Sequence, residues 1–194
     1  VDFSVHDGGF QVDRMHWIDR EAFVVHTPPT AGGPVRLTAS KNMTVGTDDD
    51  RLLCRDGTGR GWNQAGAASE QVIDPVHKEG VRGYTFRAKT DSKLARIGLT
   101  RVTNEGDHHY NDTEFALELG ATQRLAVYEG HIRRAVVGGY QVDDVFQLRL
   151  NDDNKVAYYR NETLLYTSTT PVTDPCVVDF SVHDGGFQVD RMHW

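Results

Sequence analysis

The chain alternates apolar and polar residues in short stretches that are separated by turns rich in Gly, Asn and Asp. Side chains along a β-strand point to opposite faces in turn, so this alternation predicts strands that bury one face. A period of 3.6 residues, which would indicate amphipathic helices, is not sustained anywhere. The predicted strands are 35–40, 51–54, 83–89, 95–103, 113–119, 125–129, 132–137, 145–150, 155–160, 164–168 and 177–183.

Two hairpins are the firmest local predictions. Residues 148–156, LRLNDDNKV, and residues 159–164, YRNETL, each place turn-forming residues between alternating strands. Many short strands joined by such turns are typical of an antiparallel β-sandwich or jelly roll. The fold class predicted is therefore all-β.

An exact duplication joins the two ends of the sequence. Residues 1–17, VDFSVHDGGFQVDRMHW, recur without a change as residues 178–194, an offset of 177 residues. Because many sequences satisfy one strand, seventeen consecutive identities record copying rather than convergence. We interpret residues 1–17 as the terminal strand of a preceding repeat and residues 35–194 as a tandemly repeated sandwich domain. An engineered duplication is the alternative explanation.

Residues 18–34 are predicted to be the linker between repeats. Thr27-Pro-Pro-Thr30 is stiffened by its prolines, and Ala31-Gly-Gly-Pro34 is a cluster of structure breakers. Thr27 and Thr30 stand beside proline, a composition found in O-glycosylated stalks, and are weak candidates for O-glycosylation.

The formal net charge of −7 changes the range of partners to consider. Nucleic-acid binding requires a basic face, which an acidic chain of this kind does not favour. No apolar run approaches the roughly 20 residues that span a bilayer, so no membrane span is predicted.

Three N-glycosylation sequons indicate an extracellular protein. They begin at Asn42, Asn111 and Asn161, and each falls at a predicted turn or loop, where a glycan does not disturb a core. Secretion or display at the cell surface is therefore expected.

Cys54 and Cys176, the only two cysteines, are expected to form a disulfide in that setting. The bridge would close a loop of more than 120 residues and stabilise the fold by about 4–5 kcal/mol in the chain-entropy treatment. Two buried free thiols, and a bridge between adjacent repeats, remain open as alternatives.

Several segments resemble the concanavalin-like and SPRY-like jelly rolls of secreted multidomain proteins. Residues 139–150, GYQVDDVFQLRL, and 156–168, VAYYRNETLLYTS, are similar to consecutive strands of that group, and 61–66, GWNQAG, and 95–99, ARIGL, to its upstream segments. The resemblance spans about 35–190 and implies a jelly roll. It implies no single function, because such sandwiches serve as lectins, spacers, adhesins and enzymes.

Asp112, Glu114 and Glu118 are candidates for catalytic carboxylates, since alternation places them on one face of a strand. Jelly-roll glycosidases of the laminarinase type carry such carboxylates, but the spacing here departs from theirs at one position. We therefore expect a solvated outer face, no catalytic residue and no enzymatic activity. The histidines, among them His6, His16, His26, His77, His108, His109 and His131, lack metal-ligand spacing.

Calcium is the cation that the acidic loops suggest as a possible ligand. Hard oxygen ligands are supplied by Asp48–Asp50, Asp107 and Asn151–Asn154, but these loops match neither an EF-hand nor a known lectin loop. We therefore expect no metal or other cofactor, and a bound calcium ion is the alternative. A sugar-binding platform and ordinary packing both remain open for the aromatic residues Trp17, Trp62, Tyr110, Tyr128, Tyr140, Tyr158 and Tyr159.

The sequence predicts a structural repeat of an extracellular glycosylated fibre or stalk. Its partners would be neighbouring identical repeats, since one repeated head-to-tail contact propagates into a filament. The alternative function is a carbohydrate-binding or adhesive module whose repetition increases avidity.

Overall fold

The computed structural model describes residues 27–46, 53–104 and 109–194. Several sequence-based predictions fall outside these ranges: the terminal strand 1–17, the linker residues 18–26, the start of the predicted strand 51–54, Asp48–Asp50, and Asp107 with His108. In the described ranges, no helix has the length and apolar character needed to cross a bilayer.

The described residues form fourteen β-strands and one short 3₁₀ helix, Val102–Asn104. The strands are β1 Leu37–Lys41, β2 Met43–Val45, β3 Leu53–Arg55, β4 Gly66–Ile73, β5 Gly83–Ala88, β6 Ala95–Arg101, β7 Phe115–Leu119, β8 Arg124–Glu129, β9 Ile132–Gly139, β10 Val145–Leu150, β11 Lys155–Arg160, β12 Thr163–Pro171, β13 Cys176–Val182 and β14 Gln188–His193.

The strands build two seven-stranded sheets. The first sheet has the order β1-β4-β13-β6-β7-β8-β9, and the second has the order β12-β11-β10-β5-β14-β3-β2. Every pairing between named strands is antiparallel. The predicted all-β class and antiparallel sandwich are therefore confirmed.

A single hydrophobic core lies between the sheets. It takes alternate residues from each inner face, and its largest fully buried side chains include Tyr84, Phe86, Phe146, Tyr158, Phe180 and Phe187. Alternation along β5 is typical: Tyr84 and Phe86 are buried, while Thr85 and Arg87 between and beyond them are half-buried. The pattern that predicted the strands is the pattern that fills this core.

Both predicted hairpins are present. The β11–β12 turn consists of Asn161 and Glu162, both with positive φ, which is the type I′ geometry whose twist suits two antiparallel strands. In the β10–β11 turn, the Asn151 side chain accepts hydrogen bonds from the backbone N–H groups of Asp153 and Lys155. The turn chemistry read from the sequence therefore sets the register of these strands.

Residues 178–194 form two strands, and not the one strand that the sequence analysis assigned to this segment. β13 lies in the first sheet between β4 and β6, and β14 lies in the second sheet between β5 and β3. The chain crosses from one sheet to the other at Asp184-Gly-Gly186. The duplicated segment thus supplies a central strand to each layer.

The described part of the predicted linker lies against its own sandwich. Thr27 forms a bridge with Gln71, and Pro34 forms one with His193. The Gly32 N–H donates to the Trp194 carbonyl at 2.7 Å, and the Trp194 N–H donates to the Gly33 carbonyl at 2.9 Å. Residues 27–34 are therefore anchored to β4 and to the end of β14.

The predicted Cys54–Cys176 disulfide is not formed, and both residues are free thiols. Cys54 lies on β3 in the second sheet, and Cys176 lies on β13 in the first. Cys176 is buried, and desolvation raises the pKa of its thiol to about 12, which keeps the thiol protonated and unreactive. The alternative of two buried free thiols fits Cys176 but not Cys54, which is half-buried.

Candidate functional site

An ion pair lies on the outer face of the first sheet, the face turned away from the core. Arg96 on β6 is directly opposite Glu118 on β7 in the strand register, and the Arg96 Nε donates to Glu118 Oε2 at 3.0 Å. Both side chains are only 7% exposed. A charge pair at this depth requires close geometry, because each ion has lost most of its hydration.

Aromatic rings surround the Arg96 guanidinium. Its central carbon lies 3.8 Å from the ring centre of Tyr128, 4.9 Å from that of Tyr110 and 5.5 Å from that of Trp62. A guanidinium over ring faces gains cation–π attraction, which increases as water is excluded. We call Arg96, Glu118, Tyr128, Tyr110 and Trp62 the arginine cluster.

A loop crosses the same face and covers it further. Thr113, two residues before the start of β7, donates through Oγ1 to Asp179 Oδ2 at 2.9 Å, and Thr100 donates to the same oxygen at 3.1 Å. Thr100, Thr113 and Asp179 are all buried. This arrangement corrects the expectation of a solvated outer face, since the loop places polar groups over the sheet and satisfies them there.

The candidate carboxylates of the sequence analysis do not act as a pair. Glu118 is engaged by Arg96, whereas Glu114 is half-buried and its Oε1 lies 3.0 Å from Arg101 Nε. Burial is the largest influence on Glu114 and raises its pKa, although Arg101 opposes the shift. Asp112 is in the loop, where its backbone carbonyl oxygen lies 3.1 Å from the Thr100 hydroxyl oxygen.

Half-buried aromatic rings form a continuous row at the edge of the arginine cluster. His109 stacks on Tyr110 with ring centres 5.2 Å apart, and Tyr110 stacks on Trp62 at 4.9 Å. Trp62 then meets His183 edge-on at 5.2 Å. Of the aromatics proposed as a platform, Trp62, Tyr110 and Tyr128 come together, and Trp17 lies outside the described residues.

The remaining aromatic candidates belong elsewhere. Tyr140 and Tyr158 are buried in the core, where desolvation raises the pKa of both hydroxyls well above the ordinary value for tyrosine. Tyr159 lies on the second sheet, with the Arg149 guanidinium 5.6 Å from its ring centre. These three side chains take no part in the row.

A small cavity of about 220 Å³ lies next to the row. It is lined by Thr58, Arg60, Lys93, Asp184 and Gly185. The Asp184 carboxylate is 2% exposed and accepts from Arg60 Nε at 3.0 Å, from the Leu94 N–H at 3.0 Å and from His183 Nδ1 at 2.7 Å. Burial alone would raise the Asp184 pKa, but these hydrogen bonds together lower it to about 2.

The three sequons lie where the sequence predicted. Asn42 and Asn161 are exposed at turns, and Asn111 is half-buried in the loop that precedes β7. Two of these asparagines also hold the backbone: Asn42 Nδ2 donates to the Gln64 carbonyl, and Asn161 accepts from the Val145 N–H while donating to Asp144. Thr27 and Thr30 are exposed.

The Asn151–Asn154 turn uses its oxygens within the protein. Lys78 donates to the Asp152 carbonyl and Arg82 to Asn154 Oδ1, in addition to the turn's own hydrogen bonds. Within the ranges that the structure describes, no three His, Cys, Asp or Glu side chains are grouped as metal ligands.

Comparisons with known proteins place the fold in a class. The chain is similar to the TRIM65 PSpry domain, at 13% identity over 82% of this chain and 92% of that chain, with a TM-score of 0.60. It is similar to the SPRY domain of human HERC1, at 11% identity over 80% and 94%, with a TM-score of 0.57. The fold is a SPRY-like jelly roll of the concanavalin-like type, as the sequence motifs indicated.

No family model and no curated protein sequence matches the chain. A sialidase is also similar, at 9% identity and a TM-score of 0.52, over 78% of this chain and 16% of that chain. At such identities the likeness concerns the fold.

Sequence reasoning missed Arg96, Arg60 and Asp184. A signal for Arg96 was available: it interrupts the apolar strand 95–99 one residue after its start, and an arginine in a buried strand requires an acidic partner. Nothing comparable marks Arg60, because its partner Asp184 is 124 residues away in sequence.

Proposed function

We propose that this chain is a repeat unit of an extracellular glycosylated fibre or stalk that assembles head-to-tail. One observation carries the proposal: a 17-residue segment occurs at both ends of the sequence, and its second copy, residues 178–194, supplies one central strand to each sheet of the sandwich. A segment on which both layers depend is present twice in a chain with one described sandwich. This is the arrangement of one period cut from a tandem array.

An array of this kind is suited to building material. Identical units repeat an identical contact at every step, and a head-to-tail contact that does not close into a ring continues into a filament. Each unit would contact only its neighbours, so stability would add along the array. Neighbouring copies of this chain are the proposed partners.

The surface supports a glycosylated exterior. Asn42 and Asn161 project from turns at positive φ, so each can carry a glycan without displacing a strand. An N-linked asparagine keeps one amide hydrogen, so the bonds from Asn42 to Gln64 and from Asn161 to Asp144 are compatible with glycosylation. The proposed location is outside the cell.

The outer face of the first sheet favours a structural role over catalysis. Glu118 is matched by Arg96 and Glu114 by Arg101, and Thr113 and Asp179 close the face beside them. A retaining glycosidase needs two accessible carboxyl groups about 5–5.5 Å apart. Carboxylates engaged by arginines are the arrangement of a structural face.

Limited proteolysis of the native protein tests the proposal. Residues 18–26 of the connector are the expected cleavage region, because residues 27–34 are anchored to the sandwich. Partial digestion should therefore yield a ladder of bands spaced by the mass of one 177-residue period plus its glycans. Removal of N-glycans should shift every band in proportion to its number of units. A single band of one unit, unchanged by digestion conditions, would refute the repeat.

A carbohydrate-binding module is the second candidate, favoured by the half-buried row of His109, Tyr110, Trp62 and His183. Aromatic faces of this kind can stack on sugar rings. A glycan array would test it: binding that Trp62→Ala abolishes, and that Tyr159→Ala on the other sheet leaves intact, would establish a lectin. Equal loss in both variants would reject the row as the binding surface.

A further inference from the structure

The last seventeen residues fill a defined place in the sandwich, which we call the slot. It consists of the position between β4 and β6 in the first sheet and the position between β3 and β5 in the second. Residues 178–194 occupy both positions, through most of β13 and all of β14. Without them each sheet would be divided into two parts.

Apolar contacts in the slot are specific to this segment. Val178, Phe180 and Val182 point into the core from β13, and all three are fully buried. Phe187 and Val189 do the same from the other sheet, and Trp194 meets Tyr84 edge-on at 6.3 Å. The segment therefore contributes to the inner face of both layers.

Polar contacts fix the segment as firmly. The Arg87 guanidinium donates bidentate hydrogen bonds to the Asp190 carboxylate, at 2.7 and 2.6 Å. Arg60 Nε donates to the Asp184 carboxylate at 3.0 Å. Arg55 donates to the backbone carbonyls of Val182 and His183. Each of these arginines lies in the body of the domain, outside the duplicated segment.

A close backbone approach adds a steric requirement. A Cβ on Gly185 would lie 2.4 Å from the Gly57 carbonyl oxygen and 2.8 Å from the Thr58 Cα. Only glycine fits where the segment crosses between the sheets. The slot thus recognises shape, charge and a glycine at one fixed position.

Residues 1–17 meet every one of these requirements. Phe3, Asp7, Gly8, Asp13 and Trp17 stand where Phe180, Asp184, Gly185, Asp190 and Trp194 stand in the second copy of the segment, and the residues between are identical. In its own sandwich, however, the slot is already filled by residues 178–194. A vacant slot that matches residues 1–17 would therefore belong to another copy of the chain.

We infer that residues 1–17 of one copy of the chain fill the slot of a second copy whose own C-terminal segment is absent or impaired. The donor's residues 18–26 lead from the slot to its own anchored residue Thr27, and nine residues reach about 30 Å when extended, enough to join two touching sandwiches. The joint would be main-chain pairing in two sheets at once, a form of strand addition.

This joint would be one way in which the units of the proposed fibre connect. It rests on the proposed function, because a segment that fills the slot of another chain is useful only if the units assemble. A joint made in this way has the same contacts as a covalent junction in the array. A chain could therefore be added, without a new interface, to any acceptor whose slot is vacant.

The test uses full-length chains. The acceptor carries Phe3→Asp and Phe180→Asp, which place a charge at the buried phenylalanine of both segments, and should not fold alone. Refolded with an excess of the wild-type chain, the tagged acceptor should be recovered folded in a one-to-one complex, seen by native mass spectrometry and near-ultraviolet circular dichroism.

A Phe3→Asp donor is the matched control. It retains residues 178–194 and should fold as the wild type does, but its free segment no longer fits, so recovery of the complex should be lost. Three outcomes would overturn the inference: an acceptor that folds alone, no complex with the wild type, or equal recovery with the Phe3→Asp donor. Failure here would leave the proteolytic ladder, and with it the proposed function, unaffected.

Discussion

At the scale of single residues, buried charges are the groups on which this sandwich depends most. Arg96 and Glu118 are paired under aromatic rings, and Asp184 and Asp190 are held by arginines that are distant in the sequence. Removing one member of such a pair leaves the other without compensation, whereas replacing both with apolar residues can be neutral. The pairs therefore behave as units.

For the arginine cluster, we expect Arg96→Met to lower the free energy of unfolding by about 3–5 kcal/mol, because Glu118 would stay buried without its partner. The double variant Arg96→Met, Glu118→Leu should recover most of that loss. Urea unfolding followed by tryptophan fluorescence measures both. If the double variant is as unstable as the single one, the aromatic contacts of Arg96 matter more than its charge.

Asp184 makes stability depend on pH at the acid end. Its pKa is about 2 in the folded protein against about 3.9 in an unfolded chain, so its contribution is complete above roughly pH 4 and is lost as the pH falls towards 2. The difference in unfolding free energy between the wild type and Asp184→Asn should shrink by about 2 kcal/mol over that range. A difference that does not change with pH would show that the Asp184 carboxylate is not held in its charged form.

At the scale of elements, the strands that the sequence located best are those in which buried and more exposed residues alternate regularly. β5 and β10 alternate cleanly, and the sequence located them within a residue. β2 is only three residues long, and β4 is buried on both faces by small residues, so neither alternates. The sequence analysis missed β14 because a charged residue, Asp190, occupies a buried position there, where alternation would place an apolar one. Its ion pair with Arg87 makes this burial possible.

The crossing between β13 and β14 is the element whose geometry is most restricted. Gly185→Ala should destabilise the protein by about 1–3 kcal/mol, because the added methyl group meets the backbone of Gly57 and Thr58, which cannot move aside as a side chain does. Gly80→Ala is the matched control, since its Cβ would make only an ordinary contact with the His77 carbonyl. Thermal unfolding of the two variants compares them. Equal midpoints would mean that the crossing tolerates a side chain.

At the scale of the whole molecule, the sequence predicted the class of fold well and the site poorly. Local motifs such as 156–168 indicated the jelly roll, because each reflects a strand and its turn. The arginine cluster brings Trp62, Arg96 and Tyr128 together from separate parts of the chain, and only the sheet register places them in contact. The disulfide was wrong for a similar reason, since spacing does not reveal that Cys176 lies in the core while Cys54, which follows the core residue Leu53, lies on the other face of its strand.

The duplication acquires its meaning only at this scale. In the sequence the duplication is a repeated string. In the structure its second copy, residues 178–194, supplies one central strand to each sheet. An array whose units share this segment has one kind of junction throughout. A regular, extended assembly is the expected consequence.

Electron microscopy of a chain that carries three consecutive periods tests the central claim most directly. We expect a straight rod in which three densities follow one another at a constant spacing, because each junction repeats the same contacts. Class averages in which the densities are joined at variable angles and distances, as beads on a flexible string, would contradict an ordered fibre.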